Sequence, residues 1–270
     1  MLKSCTYGLL AVGLGLVFAS PASAYTGTYT PGTGINNTPH DLGVPNANGM
    51  VYPATPADTL QRKCIWCHAP HNTYRLNGTG AGEGPAVTDP AFDYLPLWNH
   101  TLTGATSTFT LYTNGTGGPT TGPKALQAPS GTGTPGSSSL LCLSCHDGSI
   151  AVNSYGNSPA QLARSISTGS ATMSPSYQIG TGGYLGNHHP IGFSYGTVQA
   201  VDTGIRDADV FLMTPTEFIS SYLSNGTTVE CATCHSVHNT GNDGETLLWR
   251  SDQNSQLCLT CHAKGLYTSP

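Results

Sequence analysis

The chain has 270 residues and a formal net charge of −5, with 34 glycines, 19 prolines and only 9% charged residues. The slightly acidic balance argues against nucleic acid as a partner. Aliphatic side chains in periodic arrays are too few for an ordinary core. The composition therefore predicts either a disordered chain or a fold whose buried apolar mass is not supplied by protein.

The first 24 residues have the features of a secretory signal. Lys3 gives the positive start, an apolar run follows from Leu9 to Phe18, and an A-x-A-like cleavage site ends at Ala24. The run is shorter than the roughly 20 residues of a membrane span, and no later segment is long enough. We therefore predict an exported protein with a signal peptide (1–24), a single domain (25–270) and no membrane span.

Regular structure is sparse in the first half of the domain. A short helix is expected near 57–68, and a weak alternation favours a strand over 107–112. The tracts 114–136 and 165–186 are rich in Gly, Thr, Pro and Ser. Neither tract is expected to form a long helix.

A further short helix is predicted from Pro215 to Leu223. Thr214 is a suitable N-cap, Pro215 takes the first helical position, and Glu217 lies three residues after the cap. No strand–helix repeat indicates a nucleotide-binding fold. The expected fold class is mostly irregular and loop-rich, with a few short α-helices and little β-structure.

All eight cysteines of the domain fall into one five-residue pattern, Cys-x-x-Cys-His. The four copies are Cys64-Ile-Trp-Cys67-His68, Cys142-Leu-Ser-Cys145-His146, Cys231-Ala-Thr-Cys234-His235 and Cys258-Leu-Thr-Cys261-His262. This is the attachment signature of c-type haem. Two intervening residues let both sulfurs reach the two vinyl groups of one porphyrin, and the histidine then lies beneath the iron as the proximal ligand.

Disulfides, or zinc held by cysteine pairs and histidine, are the alternatives in an exported chain. Neither explains why a histidine directly follows every pair and why no cysteine of the domain is left over. We therefore predict four covalently attached haems, which would also supply the missing apolar mass.

Four haems need four distal ligands if each iron is to hold two. Six further histidines are available: His40, His71, His100, His188, His189 and His238. Met50, Met173 and Met213 are alternatives that would raise the reduction potentials. We predict histidine ligation throughout and hence low potentials, which suit a carrier of respiratory electrons.

His71 and His238 each lie three residues after a proximal histidine, His68 and His235 respectively. Three residues are too few to pass round the porphyrin edge and bind the same iron from its opposite face. Each of the two must therefore bind a different iron or none. Binding a different iron would bring two haems into near contact.

The remaining histidines differ in their surroundings. His189 is preferred to His188 because Pro190 restrains its backbone. The ring of His40 is expected to be oriented by Asp41, as happens at many metal-binding histidines. His100 follows an apolar packing segment and is the reserve candidate, a ligand only if one of the preferred histidines is not. The predicted distal ligands are His40, His71, His189 and His238.

The sequence resembles the doubled-CxxCH multihaem cytochromes of metal-reducing bacteria. The matching stretches are CIWCHAPHN, PLWNH, LLCLSCHDG, HHPIGF, CATCHSVHN and LCLTCHAKG. Their number and order are most similar to tetrahaem outer-surface cytochromes that polymerise into extracellular filaments. The resemblance implies a fold organised around four bis-histidine haems stacked in a chain. It also implies that a histidine of one subunit ligates a haem in the next, with His71, ahead of His40, as the candidate.

The function predicted from the sequence is electron transfer by an extracellular or cell-surface protein. Its expected partners are other copies of itself, redox-partner cytochromes and external acceptors such as metal oxides. No catalytic residue is predicted, because the protein only has to set spacing, potential and insulation.

Two other functions are open. A soluble periplasmic shuttle would need a charged docking face, and the chain has only nine Lys and Arg, of which Lys3 belongs to the signal. A multihaem reductase of a small nitrogen or sulfur compound would need one haem with an open coordination position, and all four attachment motifs are regular.

Overall fold

The computed structural model describes residues 32–36, 38–42, 62–76, 86–88, 92–102, 109–110, 135–156, 172–240, 245 and 247–270. These ranges hold all ten histidines and the eight cysteines of the four motifs. The predicted signal peptide and most of the tract 114–136 lie outside them. In the described ranges, no helix has the length and apolar character needed to cross a membrane.

The described residues form short α-helices, and most of these carry an attachment motif. They are α1 (Ser137–His146), α2 (Tyr195–Gln199), α3 (Cys231–Cys234) and α4 (Gln256–Cys261). The second motif forms the end of α1. The two cysteines of the third motif are the first and last residues of α3, and those of the fourth lie in the last turn of α4. The first motif instead opens with a 3₁₀ turn, Cys64–Trp66.

Each motif outside α1 closes one helical turn with a backbone hydrogen bond from its histidine to its first cysteine. The N–H groups of His68, His235 and His262 donate to the carbonyls four residues earlier, at 2.7, 3.1 and 2.9 Å. The backbone is extended at His235 (φ −103°, ψ 124°) and at His262 (φ −101°, ψ 121°), so the third and fourth helices end at those residues. One turn therefore fixes two sulfurs and an imidazole relative to each other.

Small two-stranded sheets connect the loops. Strands β1 (Arg75–Leu76) and β2 (Ala86–Val87) pair in parallel, whereas β3 (Phe193–Ser194) with β6 (Thr228–Val229), and β4 (Leu212–Thr214) with β5 (Glu217–Phe218), pair antiparallel. Further 3₁₀ turns lie at Pro175–Tyr177, Thr181–Gly183, Ile219–Tyr222 and Gln253–Ser255. The predicted loop-rich fold class, with few short helices and little β-structure, is confirmed.

The helix predicted from Pro215 to Leu223 is wrong. Thr214 ends β4, Glu217 and Phe218 form β5, and a 3₁₀ turn follows. Proline fixes a φ that suits the start of a helix and the corner of a turn equally well. Tertiary packing decides between them, because Ile219 is fully buried and its N–H donates to the carbonyl of Phe211 across the hairpin at 3.0 Å.

The other local predictions fall partly outside the described residues. Of the helix near 57–68, only the segment from residue 62 is described, and it contains the 3₁₀ turn of the first motif. Of the strand over 107–112, Phe109 and Thr110 are described, and Thr110 forms one isolated bridge with Tyr184. In the described part of 165–186 the helical elements are 3₁₀ turns only.

The apolar interior is divided into three small clusters. Their buried members are Leu42, Trp66, Val152, Tyr155 and Met173 in the first; Phe92, Trp98, Leu140, Leu141, Leu143 and Leu185 in the second; and Tyr195, Ala208, Ile219, Leu223 and Val229 in the third. Attachment cysteines pack against each: Cys67 and Cys145 on the first, Cys67 on the second and Cys261 on the third. The protein core thus lies around the attachment motifs.

Arg250 holds the C-terminal segment against the fourth motif. Its guanidinium is 1% exposed and donates to the hydroxyl of Thr260 at 2.9 Å, to the carbonyl of Leu212 at 3.3 Å and to the carbonyl of Thr268. It also lies over the ring of Tyr267, 4.9 Å from the ring centre. A buried charge is tolerated when it is hydrogen-bonded, and here both terminal nitrogens of the guanidinium have partners, whereas Nε has none among the described residues.

We expect Arg250→Met to lower the free energy of unfolding by about 2–4 kcal/mol, because it leaves buried acceptors without donors. The measurement is denaturant unfolding followed by far-ultraviolet circular dichroism. Arg206→Met is the matched control: Arg206 also donates to carbonyls of the C-terminal region, but it is only half-buried, and its loss is expected to cost about 1 kcal/mol. Equal losses of unfolding free energy in the two variants would contradict this account of Arg250.

Candidate haem-binding sites

The eight motif cysteines are all free thiols, exposed or half-buried, and none forms a disulfide. In the described ranges, no three side chains of His, Cys, Asp or Glu converge as a zinc ion would require. The disulfide and zinc alternatives therefore have no support in the geometry. The thiols remain available for thioether bonds.

Three of these thiols also lack the environment of a reactive cysteine. Burial raises the pKa of Cys67 to about 11, that of Cys234 to about 12 and that of Cys261 to about 11. Nucleophilic cysteines have lowered pKa values in electropositive surroundings. These cysteines are protonated at neutral pH, which fits attachment points better than nucleophiles.

Three pairs of histidine rings face each other at nearly the same separation. The ring centres of His40 and His146 are 6.3 Å apart, those of His68 and His238 are 6.1 Å apart, and those of His189 and His262 are 6.3 Å apart. Each pair joins one motif histidine to a histidine from elsewhere in the chain.

This separation fits one metal ion between two imidazoles. A metal–imidazole bond is about 2 Å long and the ring centre lies about 1 Å behind the bonding nitrogen, so two trans ligands place their ring centres about 6 Å apart. Stacked rings would lie closer together, whereas rings in edge-to-face contact reach the same distance. The separation in the three pairs is therefore compatible with haem iron held between two histidines.

Backbone carbonyls orient four of these six rings, and also the ring of the remaining motif histidine His235, through the Nδ1 atom. The acceptors are Val237 for His40 (3.2 Å), Pro96 for His68 (2.7 Å), Tyr177 for His146 (3.4 Å), Pro190 for His189 (2.8 Å) and Leu247 for His235 (3.2 Å). A hydrogen bond at Nδ1 fixes the tautomer and leaves the Nε2 lone pair free for a metal.

The surroundings also keep several of these imidazoles neutral. Burial, together with the nearby His40, lowers the pKa of His146 to about 4. Burial is likewise the main cause that lowers the pKa of His40 and His262. A histidine must be neutral to coordinate a metal, so the free nitrogen is in the required state at neutral pH.

The orientation of His40 differs from the prediction. The carboxylate of Asp41, only 1% exposed, pairs with Lys63 at 2.7 Å. Because Lys63 precedes the first motif and His40 faces the second, this ion pair ties the two sites together. The ring of His40 is held instead by the carbonyl of Val237, and a backbone acceptor of this kind has no signature in the sequence.

The motif histidine His235 has no facing imidazole within the described structure, although its neighbours include His40 and His146. His235 is exposed. The predicted ligand His71 is also exposed, and His188 is half-buried; neither makes a ring contact with a described residue. Within the described residues, the site of the third motif therefore lacks a second imidazole.

His100, the reserve ligand, lies in a different environment. It is 1% exposed, its Nδ1 lies 2.8 Å from the carbonyl of Thr101, and its Nε2 lies 3.1 Å from the carbonyl of Ala151. Both ring nitrogens face backbone oxygens, which leaves neither directed at a metal. His100 packs beside the second motif, with Nε2 3.3 Å from the sulfur of Cys145.

The third motif lies close to each of the other three. His238 faces His68 of the first motif. Cys231 shares a hydrogen bond with Cys142 of the second, which raises the pKa of Cys142 and lowers that of Cys231. Two neighbouring residues connect the third motif to the fourth. The N–H of Trp249 donates to the carbonyl of Cys234 at 3.1 Å, and the guanidinium of Arg250 donates to the hydroxyl of Thr260. The four sites therefore form one contiguous group.

Comparison with known proteins supports the same chemistry. Residues 225–266, which contain the third and fourth motifs, match the protein-family model described as "Doubled CXXCH motif". No curated protein sequence matches the chain. The family match and the motif geometry support a multihaem c-type cytochrome with covalently bound haem c, whose general activity is electron transfer.

Proposed function

We propose that the protein conducts electrons through four covalently attached haems, each held between two histidines. The attachment residues are the eight motif cysteines, and the proximal ligands are His68, His146, His235 and His262. His238, His40 and His189 serve as distal ligands opposite His68, His146 and His262. The observation that carries the proposal is the three ring pairs at 6.1–6.3 Å, in which Nδ1 of four of the six rings is bonded to a backbone carbonyl.

The count of haems is the direct test of this proposal. Protein purified from a host that matures c-type cytochromes should give a pyridine haemochrome of four haems per chain and a mass increased by four haem groups. A Cys142→Ser/Cys145→Ser variant, which lacks one motif, is the calibration and should give three. A full-length chain with fewer than four haems would contradict the proposal.

The role of the polypeptide is positional. Bound haem iron carries one electron by cycling between its ferric and ferrous states. The carbonyls of Val237, Pro96, Tyr177 and Pro190 fix the imidazole planes, and the three apolar clusters around the motifs exclude water. No residue needs to make or break a bond of a substrate.

The contacts of the third motif support a continuous electron path. The thiols of Cys142 and Cys231 lie within hydrogen-bonding reach of each other, so two attachment points stand side by side, and His238 extends from the third motif to the ring of His68. Groups attached at such points have neighbouring edges. We infer a stacked haem chain in which the third site is joined to the other three.

For the fourth distal ligand we propose His71 of a neighbouring copy. His71 and His235 are both exposed, and His235 is already oriented through Nδ1 by the carbonyl of Leu247. Ligation from copy to copy would join the haem chains of successive subunits. With the resemblance to filament-forming tetrahaem cytochromes, this supports an extracellular filament subunit that passes electrons to external acceptors such as metal oxides.

The same observation favours a second candidate function, reduction of a small molecule. If His235 receives no ligand from another copy, its iron has an open position on an exposed face of the protein. Carbon monoxide binding to one haem of the native assembly would support the reductase, and absence of binding would support the filament.

We expect His238→Ala to convert one of four haems from low spin to high spin, because it removes the ring facing His68. The measurement is electron paramagnetic resonance of the oxidised protein. The control is His188→Ala, which removes a half-buried histidine without a facing ring and should leave the spectrum unchanged. A low-spin spectrum for His238→Ala would exclude His238 as a ligand.

We expect His71→Ala to retain four haems per chain but to abolish filaments, because it removes the ligand supplied to the next copy. Electron microscopy of sheared extracellular material measures the filaments, and paramagnetic resonance should show one high-spin haem in four. The same His188→Ala variant should assemble normally. Filaments of normal length and spin state from His71→Ala would contradict the proposed ligation.

A further inference from the structure

Glu230 is a buried carboxylate between the second and third attachment helices. It is 2% exposed and directly precedes Cys231. Its carboxylate accepts hydrogen bonds from the N–H of Gly136, at 2.9 Å, and from the hydroxyl of Ser139, both at the start of α1. One side chain therefore connects the starts of the helices that carry Cys142 and Cys231.

The remaining hydrogen bonds of this junction show which form of the carboxyl group the structure favours. Glu230 and Thr233 form a capping box, in which the N–H of Thr233 donates to the carboxylate and the N–H of Glu230 donates to the Thr233 hydroxyl at 2.9 Å. The Ser139 oxygen accepts from the N–H of Cys231 at 3.0 Å, so its own proton is directed to Glu230. Three donors point at the carboxylate and favour its ionised form.

The electrostatic surroundings oppose that charge. Burial raises the pKa of Glu230 above its ordinary value, and the charge of Asp93 raises it further, whereas the bonds from Ser139 and Gly136 lower it. In the described part of the chain no lysine or arginine forms an ion pair with Glu230. Cys142 and Cys231, the other titratable groups at the junction, lose their protons permanently when haem is attached.

A pocket links this carboxylate to solvent. Its volume is about 500 Å³, and Glu230 forms part of its wall with Asp93, Glu217, Tyr222 and Trp249. The hydroxyl of Tyr222 donates to Glu217. Among the described wall residues there is no cysteine or histidine, so the pocket is separate from the facing rings. It gives protons a route from solvent to Glu230.

We propose that Glu230 makes electron transfer through the junction of the second and third haems dependent on proton uptake. This inference rests on the proposed function. For each electron that an upstream haem or an electrode delivers to a ferric iron at this junction, Glu230 takes one proton from solvent and becomes a neutral carboxyl group. It returns that proton when the electron leaves, so the net charge of the junction is unchanged by reduction.

The physical basis is charge compensation in a poorly solvated site. Reduction of the iron removes one positive charge from the vicinity of the carboxylate, which favours the neutral form of Glu230. By linkage, protonation of Glu230 must favour reduction by the same factor. The low dielectric around the buried carboxylate strengthens both effects.

The test is the pH dependence of the midpoint potentials of the haem-loaded, full-length mature protein, measured by spectroelectrochemistry from about pH 5 to about pH 9, above the ordinary glutamate pKa. We expect one haem whose reduction equilibrium weakens by up to tenfold, or about 59 mV, per pH unit. Glu230→Gln should abolish that slope and hold the potential at the value of the protonated wild type. Glu217→Gln, in the same pocket, should keep the slope.

Infrared spectroscopy provides a second readout. The reduced-minus-oxidised difference spectrum of the wild type should gain a protonated-carboxyl band that is missing in Glu230→Gln. A wild type with pH-independent potentials, or a Glu230→Gln variant that keeps the slope, would overturn the inference. Four low-spin haems in the same samples would show that the proposed electron-transfer function stands regardless.

Should Glu230→Gln fail to mature, Ser139→Ala decides the question. It keeps the carboxylate but removes one donor that favours the ionised form, so the pKa of Glu230 should rise. The pH range in which the potential slopes should then move upwards. If the potential of Ser139→Ala slopes over the same pH range as that of the wild type, the role of Glu230 is refuted.

Discussion

Three pairs of imidazoles hold their ring centres about 6 Å apart, the separation that one metal bound between two imidazoles would require. The spacing recurs in three pairs whose members are far apart in the chain, His40 with His146, His68 with His238, and His189 with His262. Each pair closes a long loop, and closing long loops is entropically costly. Metal–ligand bonds across each pair would offset that cost in a chain whose own apolar clusters are small.

The second constraint is local and comes from the helical turn of each motif. Because the histidine N–H bonds to the carbonyl of the first cysteine, the turn needs only five residues and little flanking structure. The rest of the chain is then free to be irregular. This explains how short helices and two-stranded sheets suffice, and why Pro215 starts a hairpin corner instead of a helix.

Polar side chains stabilise the contacts between sites, where a larger protein would use apolar layers. The buried Asp41 pairs with Lys63 and joins the segment of His40 to the first motif. Glu230 joins α1 to α3, and Arg250 joins the C-terminal segment to the fourth motif. A charge buried at such a junction also acts on any redox centre beside it. The same residues can therefore determine both the spacing and the energetics of electron transfer.

The sequence by itself determined the attachment chemistry and the fold class. Two cysteines and a histidine within five residues act through one local turn, so their function can be predicted without knowledge of the remaining fold. The loop-rich character follows from composition. The facing partner of each ring was decided by tertiary structure. His100 and His40 are the same residue type, yet Ala151 and Thr101 engage both nitrogens of His100, whereas the carbonyl of Val237 engages only one nitrogen of His40. Backbone carbonyls are present at every residue, so only the path of the chain brings a particular carbonyl to a ring. For the same reason the sequence placed Asp41 beside His40, whereas the folded chain pairs it with Lys63.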